Sequence, residues 1–165
     1  MGYHPSLPHH NPNATVSSIN DFISLYSTVT SIIINNGISE PIITVLDLTR
    51  FFQLKSLVVG HHCFSYVQTV IICELNALES VEIGENSFTK QKNGAGYNPD
   101  RHFHLKDCPK LKSLKIGRQS FSDYKVIEIE NVDALEEIEI GDVNKVSYNF
   151  RYASLELKSS LIHSE

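Results

Sequence analysis

No stretch of this sequence is apolar over the ~18 residues that a membrane-spanning helix needs. The longest apolar runs, such as Ile32-Ile33-Ile34 and Val70-Ile71-Ile72-Cys73, are strand-sized. An excess of basic charge is also lacking. Lys and Arg number 14 against 19 Asp and Glu, a net charge of −5, which argues against a general nucleic-acid binder. The three cysteines, Cys63, Cys73 and Cys108, are an odd number without a CxxC spacing, so a disulfide scaffold is not expected and a reducing compartment fits better. The N-terminus has no basic segment leading into an apolar core, so it does not read as a secretory signal. These absences point to a cytoplasmic chain, or to a cell-surface one if the sequence is a piece of a longer protein.

Catalytic signatures are missing as well. The chain shows no Ser-His-Asp order, no Gly-rich phosphate loop and no kinase motif. Gly94-Ala95-Gly96 lacks the strand-to-helix context of a phosphate loop. His102 and His104 alternate on one predicted strand, but zinc asks for three or four protein ligands. Asp47, Ile71 and Glu128 hold the position of His104 in other parts of the chain and do not complete a set. No enzyme activity, metal or cofactor is expected.

What the sequence has is a repeat. Leu111-Lys112-Ser113-Leu114-Lys115-Ile116-Gly117 runs on to Phe121, Leu54 to Gly60 runs on to Phe64, and Leu78 to Gly84 runs on to Phe88. A fourth copy from Leu135 to Gly141 has no aromatic at the matching place, and Val29, Ile32 and Ile34 form a degenerate earlier copy. The glycines stand at 60, 84, 117 and 141, at spacings of 24, 33 and 24. Numbering each unit from its first Leu, positions 1, 4 and 6 are apolar and positions 2 and 5 mostly polar, the period of a half-buried strand. The Gly at position 7 is expected to end the strand, and the Phe at position 11 to turn inward.

A second apolar pair follows each time: Leu46/Leu48, Val70/Ile72, Phe103/Leu105, Ile127/Ile129 and Leu155/Leu157. Cys108 aligns with Phe51, Leu75 and Val132, and so reads as a small buried apolar residue. One unit cannot bury its apolar side alone, so neighbours must stack. The expected fold is a β-rich solenoid of about five 24-residue coils, with two parallel sheets and little helix.

Leu-x-x-Leu-x-Ile-x-x-x-x-Phe resembles the conserved segment of leucine-rich repeats. The Ile-Gly-x-x-Ser-Phe runs at 83–88 and 116–121, with Cys108-Pro109-Lys110-Leu111, are most similar to the surface-antigen (BspA-like) class. The resemblance covers residues 29–165 and implies an α/β leucine-rich-repeat superfold with a protein-binding habit. The asparagine of the usual ladder is kept only at Asn86, with His62, Gln119 and Val143 at the matching places.

Residues 1–20, with Pro5, Pro8 and Pro12, read as a flexible arm. Residues 21–165 read as the solenoid, with 18–26 as a short cap over its first coil. An insertion near 89–101 accounts for the spacing of 33 and carries Tyr97. Leu155, Leu157, Leu161 and Ile162 stay apolar at the other end, so the last unit reads as poorly capped or as running on into more protein.

Residues between the buried positions form rows facing solvent. These are Lys55, Val58 and His61; Glu79, Glu82 and Glu85; Lys112, Lys115 and Arg118; and Glu136, Glu139 and Asp142. Acidic and basic layers thus alternate along the stack, and Ile33 with Val58 makes the face apolar towards its N-terminal end. The expected function is a non-catalytic protein–protein interaction module that uses these rows and the tip of the insertion at Tyr97. The alternative is an adhesive or structural segment of a larger surface protein.

Overall fold

The computed structural model describes residues 11–90 and 98–159. Over these residues the fold is strand-rich, with two parallel sheets and almost no helix. The elements in chain order are β1 (Asn13–Val16), α1 (Ile19–Ile23), β2 (Ser31–Ile34), β3 (Val45–Asp47), β4 (Ser56–Val59), β5 (Thr69–Cys73), β6 (Ser80–Ile83), β7 (His102–Lys106), β8 (Ser113–Ile116), β9 (Val126–Glu130), β10 (Glu137–Ile140) and β11 (Ser154–Lys158). Sheet order is β1-β2-β4-β6-β8-β10 in the first sheet and β3-β5-β7-β9-β11 in the second. From β2 onward the chain alternates between the two sheets.

Register follows the repeat. Ser31 aligns with Ser56, Ser56 with Ser80, Ser80 with Ser113, and Ser113 with Glu137. The second sheet steps Val45 to Thr69 to His102 to Val126 in the same way. Its step from Thr69 to His102 spans 33 residues, equal to the first-sheet step from Ser80 to Ser113, so the insertion between β6 and β7 leaves both registers in phase. Alternate residues point inward: positions 1, 4 and 6 of the middle units are buried, as are Leu46/Leu48, Val70/Ile72 and Phe103/Leu105. Cys108 is buried with them, and desolvation pushes its thiol up to about 11.

The position-11 aromatics build a column through the interior. Ring centroids of Phe64 and Phe88 lie 5.3 Å apart, those of Phe88 and Phe121 4.8 Å. Phe150 stacks on Phe121 at 5.1 Å and 8°. It fills the last unit's slot five residues later than the repeat anticipates, because the turn after Gly141 is longer. At the other end Phe22 of α1 meets Phe64 edge-on at 6.5 Å. Phe64, Phe88, Phe121 and Phe150 all have positive φ, between 51° and 58°. Burial of a large ring offsets that local strain.

The repeated glycine serves close approach rather than turning. A Cβ on Gly84 would sit 2.7 Å from the carbonyl carbon of Gly60, and one on Gly117 2.6 Å from that of Gly84. Neither glycine has positive φ; Gly37 and Gly141 do. Units therefore stack backbone on backbone at this point, where a methyl group has no room.

Position 10, not position 9, carries the polar ladder, and in the last unit Asn149 takes it up five residues later, together with Phe150. Cys63 Sγ donates to Asn35 O, Ser87 Oγ to Gly60 O at 2.8 Å, Ser120 Oγ to Gly84 O at 2.6 Å, and Asn149 Nδ2 to Gly117 O at 2.8 Å. Each donor reaches the position-7 carbonyl of the preceding unit. The hydroxyls also accept from the unit before: Cys63 N–H donates to Ser87 Oγ and Ser87 N–H to Ser120 Oγ. Buried turn backbone is satisfied this way, which matters because an unpaired buried group destabilises by about 1–3 kcal/mol.

The two ends differ from the expectation and from each other. Of the arm expected over residues 1–20, residues 1–10 lie outside the described residues, and Asn13–Val16 instead form β1 and pair in parallel with β2. Ser18 caps α1 by accepting from Asp21 N–H, while Asp21 accepts from the Ser17 and Ser18 N–H groups. Arg50 then ties α1 to the first unit, donating to Phe22 O at 2.9 Å and lying over the Phe51 ring. At the other end every residue of β10 and β11 is exposed.

Candidate functional site

The outward face of the first sheet gathers most of the residues singled out in the sequence. Parallel register sets Thr15, Ile33, Val58, Glu82, Lys115 and Glu139 side by side across six strands. Adjacent strands lie ~4.8 Å apart, so the row is a continuous stripe. It is apolar at Ile33 and Val58 and charged from Glu82 onward. Asn36, His61 and Glu82 frame the apolar part, which forms a shallow depression.

A second row was missed by reading charges alone. Ser31, Ser56, Ser80 and Ser113 occupy one line, all partly exposed, and Glu137 ends it. Ser113 Oγ donates to Glu137 Oε2 at 3.0 Å. The signal was position 3, serine in three of the four clear copies and again in the degenerate one.

Alternating charge layers become ion pairs only in part. Lys115 Nζ lies 3.2 Å from Glu137 and 3.5 Å from Glu139, and turns to these rather than to Glu82. The carboxylates hold the Lys115 ammonium above its ordinary range. Ser113 first and Lys115 second hold the Glu137 carboxyl below its own. All three groups remain open to water, so solvent screens the pairs. Arg118 meets Glu85 only at 3.9 Å, longer than a hydrogen bond, and donates to Val146 O at 3.4 Å. Glu85 N–H donates to His61 Nδ1 at 2.9 Å.

Asp142 is drawn out of the row into its own turn. It accepts from Asn144 N–H at 2.8 Å and meets Lys145 at 3.5 Å, and the Asn144 bond above all holds its carboxyl low. Lys55, Glu79, Lys112 and Glu136 stand exposed in front of the strands, joined through backbone bonds: Glu79 N–H to Lys55 O, Lys112 N–H to Glu79 O, Glu136 N–H to Lys112 O. No ion pair links these four side chains among the described residues. Tyr97 lies outside the described residues.

Elsewhere the chemistry is committed to structure. On the second sheet His104 Nδ1 and Lys106 Nζ both reach Glu128 Oε2, at 2.7 and 2.6 Å. A cleft beside Ser65, Tyr66 and Lys90 has Arg101 and Asp123 in its wall. There Arg101 spends its guanidinium on Asp123 at 2.5 Å and on the carbonyls of Ser65 and Val67. Tyr124 covers the pair and donates to Val67 O, and burial pushes its phenol up. A buried pair so satisfied fixes local conformation more than it offers a free charge.

The described residues include no helix long and apolar enough to cross a membrane. No protein-family model, curated protein or solved structure matches the chain.

Proposed function

We propose that the chain is a solenoid of the leucine-rich-repeat type, similar to the BspA-like class, that works as a non-catalytic protein-binding module inside the cell. The observation that carries this reading is the outward face of the first sheet. Its in-register rows present an apolar depression at Ile33 and Val58 beside uncommitted charges at Glu82, Lys55 and Lys112. A rigid stripe of mixed chemistry favours discrimination among partners over raw affinity. The inward residues specify the stack, whereas the outward residues vary from unit to unit.

The test is affinity capture from cells with wild type and two variants, followed by mass spectrometry. Ile33→Asp combined with Lys112→Glu alters the first-sheet face without breaking an ion pair. Val45→Asp alters the second-sheet face and serves as the control. Specific partners should be lost with the first variant and kept with the second. If all partners survive the first variant while its circular dichroism stays native, the reading fails. The second reading, a structural or adhesive segment of a larger surface protein, is favoured by one observation: the apolar edge at β10 and β11, beside which no further strand lies among the described residues.

A further inference from the structure

The C-terminal edges of both sheets are built like inner strands but have no further strand beside them among the described residues. Ile138 and Ile140 align with the buried Leu114 and Ile116, yet are 50 % and 49 % exposed. Leu155 and Leu157 align with the buried Ile127 and Ile129, yet are 58 % and 62 % exposed. Among the described residues β10 pairs with β8 alone, and a strand with one open side is where extended segments add to a sheet. The side chains around this edge also state what charge would fit. Glu137 and Glu139 project outward from β10, and among the described residues the cation paired with both, Lys115, lies on the inner side. A second copy meeting this edge with its own β10 would set carboxylates against carboxylates. A second copy meeting it with β1 would bring Asn13 and Thr15, which carry no charge.

We propose that the β10 edge binds an extended segment of another polypeptide in which apolar residues alternate with Lys or Arg, added as a parallel strand. The chain contains its own template for this pairing. In β8, Leu114 and Ile116 face the core while Lys115 spans Glu137 and Glu139 from the inner side; the bound segment repeats the arrangement from the outer side. This edge adjoins the first-sheet face but lies four strands away from Ile33, across β4, β6 and β8, so Ile33→Asp should leave it intact and the two readings can fail independently.

The test uses two fluorescent peptides titrated with the whole chain. One copies residues 109–118 and is basic; the other copies residues 76–85 and is acidic. The basic peptide should bind saturably and at least about tenfold more tightly than the acidic one, since charge complementarity governs the choice. Glu137→Lys with Glu139→Lys should reverse that preference, and Ile140→Asp should weaken the basic peptide by a similar factor. All three residues are exposed, so circular dichroism should stay native. Equal binding of both peptides, no binding of either, or binding indifferent to Ile140→Asp overturns the proposal. So does sedimentation showing a dimer that Ile140→Asp abolishes, because the occupant is then a second copy.

Discussion

The first unit and the last unit share one pattern and meet opposite surroundings. Val29, Ile32 and Ile34 are buried, although their unit is the most degenerate in sequence. Leu135, Ile138 and Ile140 keep the pattern faithfully, yet the two isoleucines stay half exposed. The difference lies in the neighbour. β1 and α1 close the N-terminal end with Val16 and Phe22, two apolar residues outside the repeat. Nothing comparable lies beyond β10 and β11 among the described residues. Burial in a stack is thus a property of pairs of units, and fidelity to the motif does not supply it.

The comparison sharpens most in the aromatic column. Phe121 contacts Phe88, Phe103, Tyr124 and Phe150. Phe121→Ala should destabilise the fold by about 3–5 kcal/mol, the range for deleting a fully buried ring. Leu157→Ala, at the open edge, should cost less than about 1 kcal/mol, because most of that side chain is already in water. Urea unfolding followed by circular dichroism would measure both. Equal losses would break the distinction between the interior and the edge.

Glycines give the next largest contrast. Gly84→Ala forces a methyl group against the Gly60 backbone and the His61 nitrogen, both within 2.8 Å, so neighbouring units must separate. A loss of about 1–3 kcal/mol is expected, as for other overpacked positions. Gly37→Ala meets no atom within 4 Å and suffers only from its φ of +80°. Its loss should be nearer 1 kcal/mol. Thermal melts of the two variants would test this. A larger shift for Gly37→Ala would show that turn conformation, not stacking distance, sets the role of glycine in these units.

These contrasts also mark what could be read in advance. Positions 1, 4 and 6 and the paired residues of the second sheet were legible, because a period of two repeated along the chain leaves one choice of inward face. The column was legible through Phe64, Phe88 and Phe121 but not through Phe150, whose longer turn hides the match. The ladder was sought at position 9, by residue identity. It stands at position 10 in Cys63, Ser87 and Ser120 and is continued five residues late by Asn149, and these share an ability to donate and little else. β1 was invisible for a different reason: Asn13–Val16 sends only Ala14 and Val16 inward and has no copy elsewhere. Arg101 and Asp123 were not singled out, since burial of a charge pair depends on partners far apart in sequence. On the candidate face the charged rows were legible and the serine row was present but overlooked. The capture of Asp142 by its own turn depends on local geometry that residue type does not encode.

How firmly the N-terminal end is closed can be tested at its cap. Ser18→Ala removes the acceptor for Asp21 N–H, and N-cap losses of this kind average about 1 kcal/mol. The effect should be local: hydrogen exchange should quicken in α1 and β1 and stay unchanged in β6 and β8. Uniform acceleration would mean that the end is not a separable cap but part of the cooperative core.

The smallest expected effect compares an inner rung of the second sheet with its outermost one. Glu128 on β9 accepts from Lys106 and from His104, and these bonds, Lys106 first, hold its carboxyl below the ordinary 4.5. A carboxyl with a depressed folded-state pKa adds stability above its unfolded pKa and loses it as pH falls through the folded value. Glu128→Gln should therefore be slightly less stable than wild type at pH 7, and the gap should close as the pH drops below 4.5. The group is partly exposed, so screening by solvent and salt keeps the difference small. Glu156, its register partner on β11, is instead paired with Lys158 of its own strand. Glu156→Gln should change stability less at every pH, because a pair within one exposed edge strand ties no two strands together. Melts of both variants between pH 3 and pH 7 would measure the two differences. A larger pH-dependent gap for Glu156→Gln would mean that the outer rung already contributes to the stack as an inner one does.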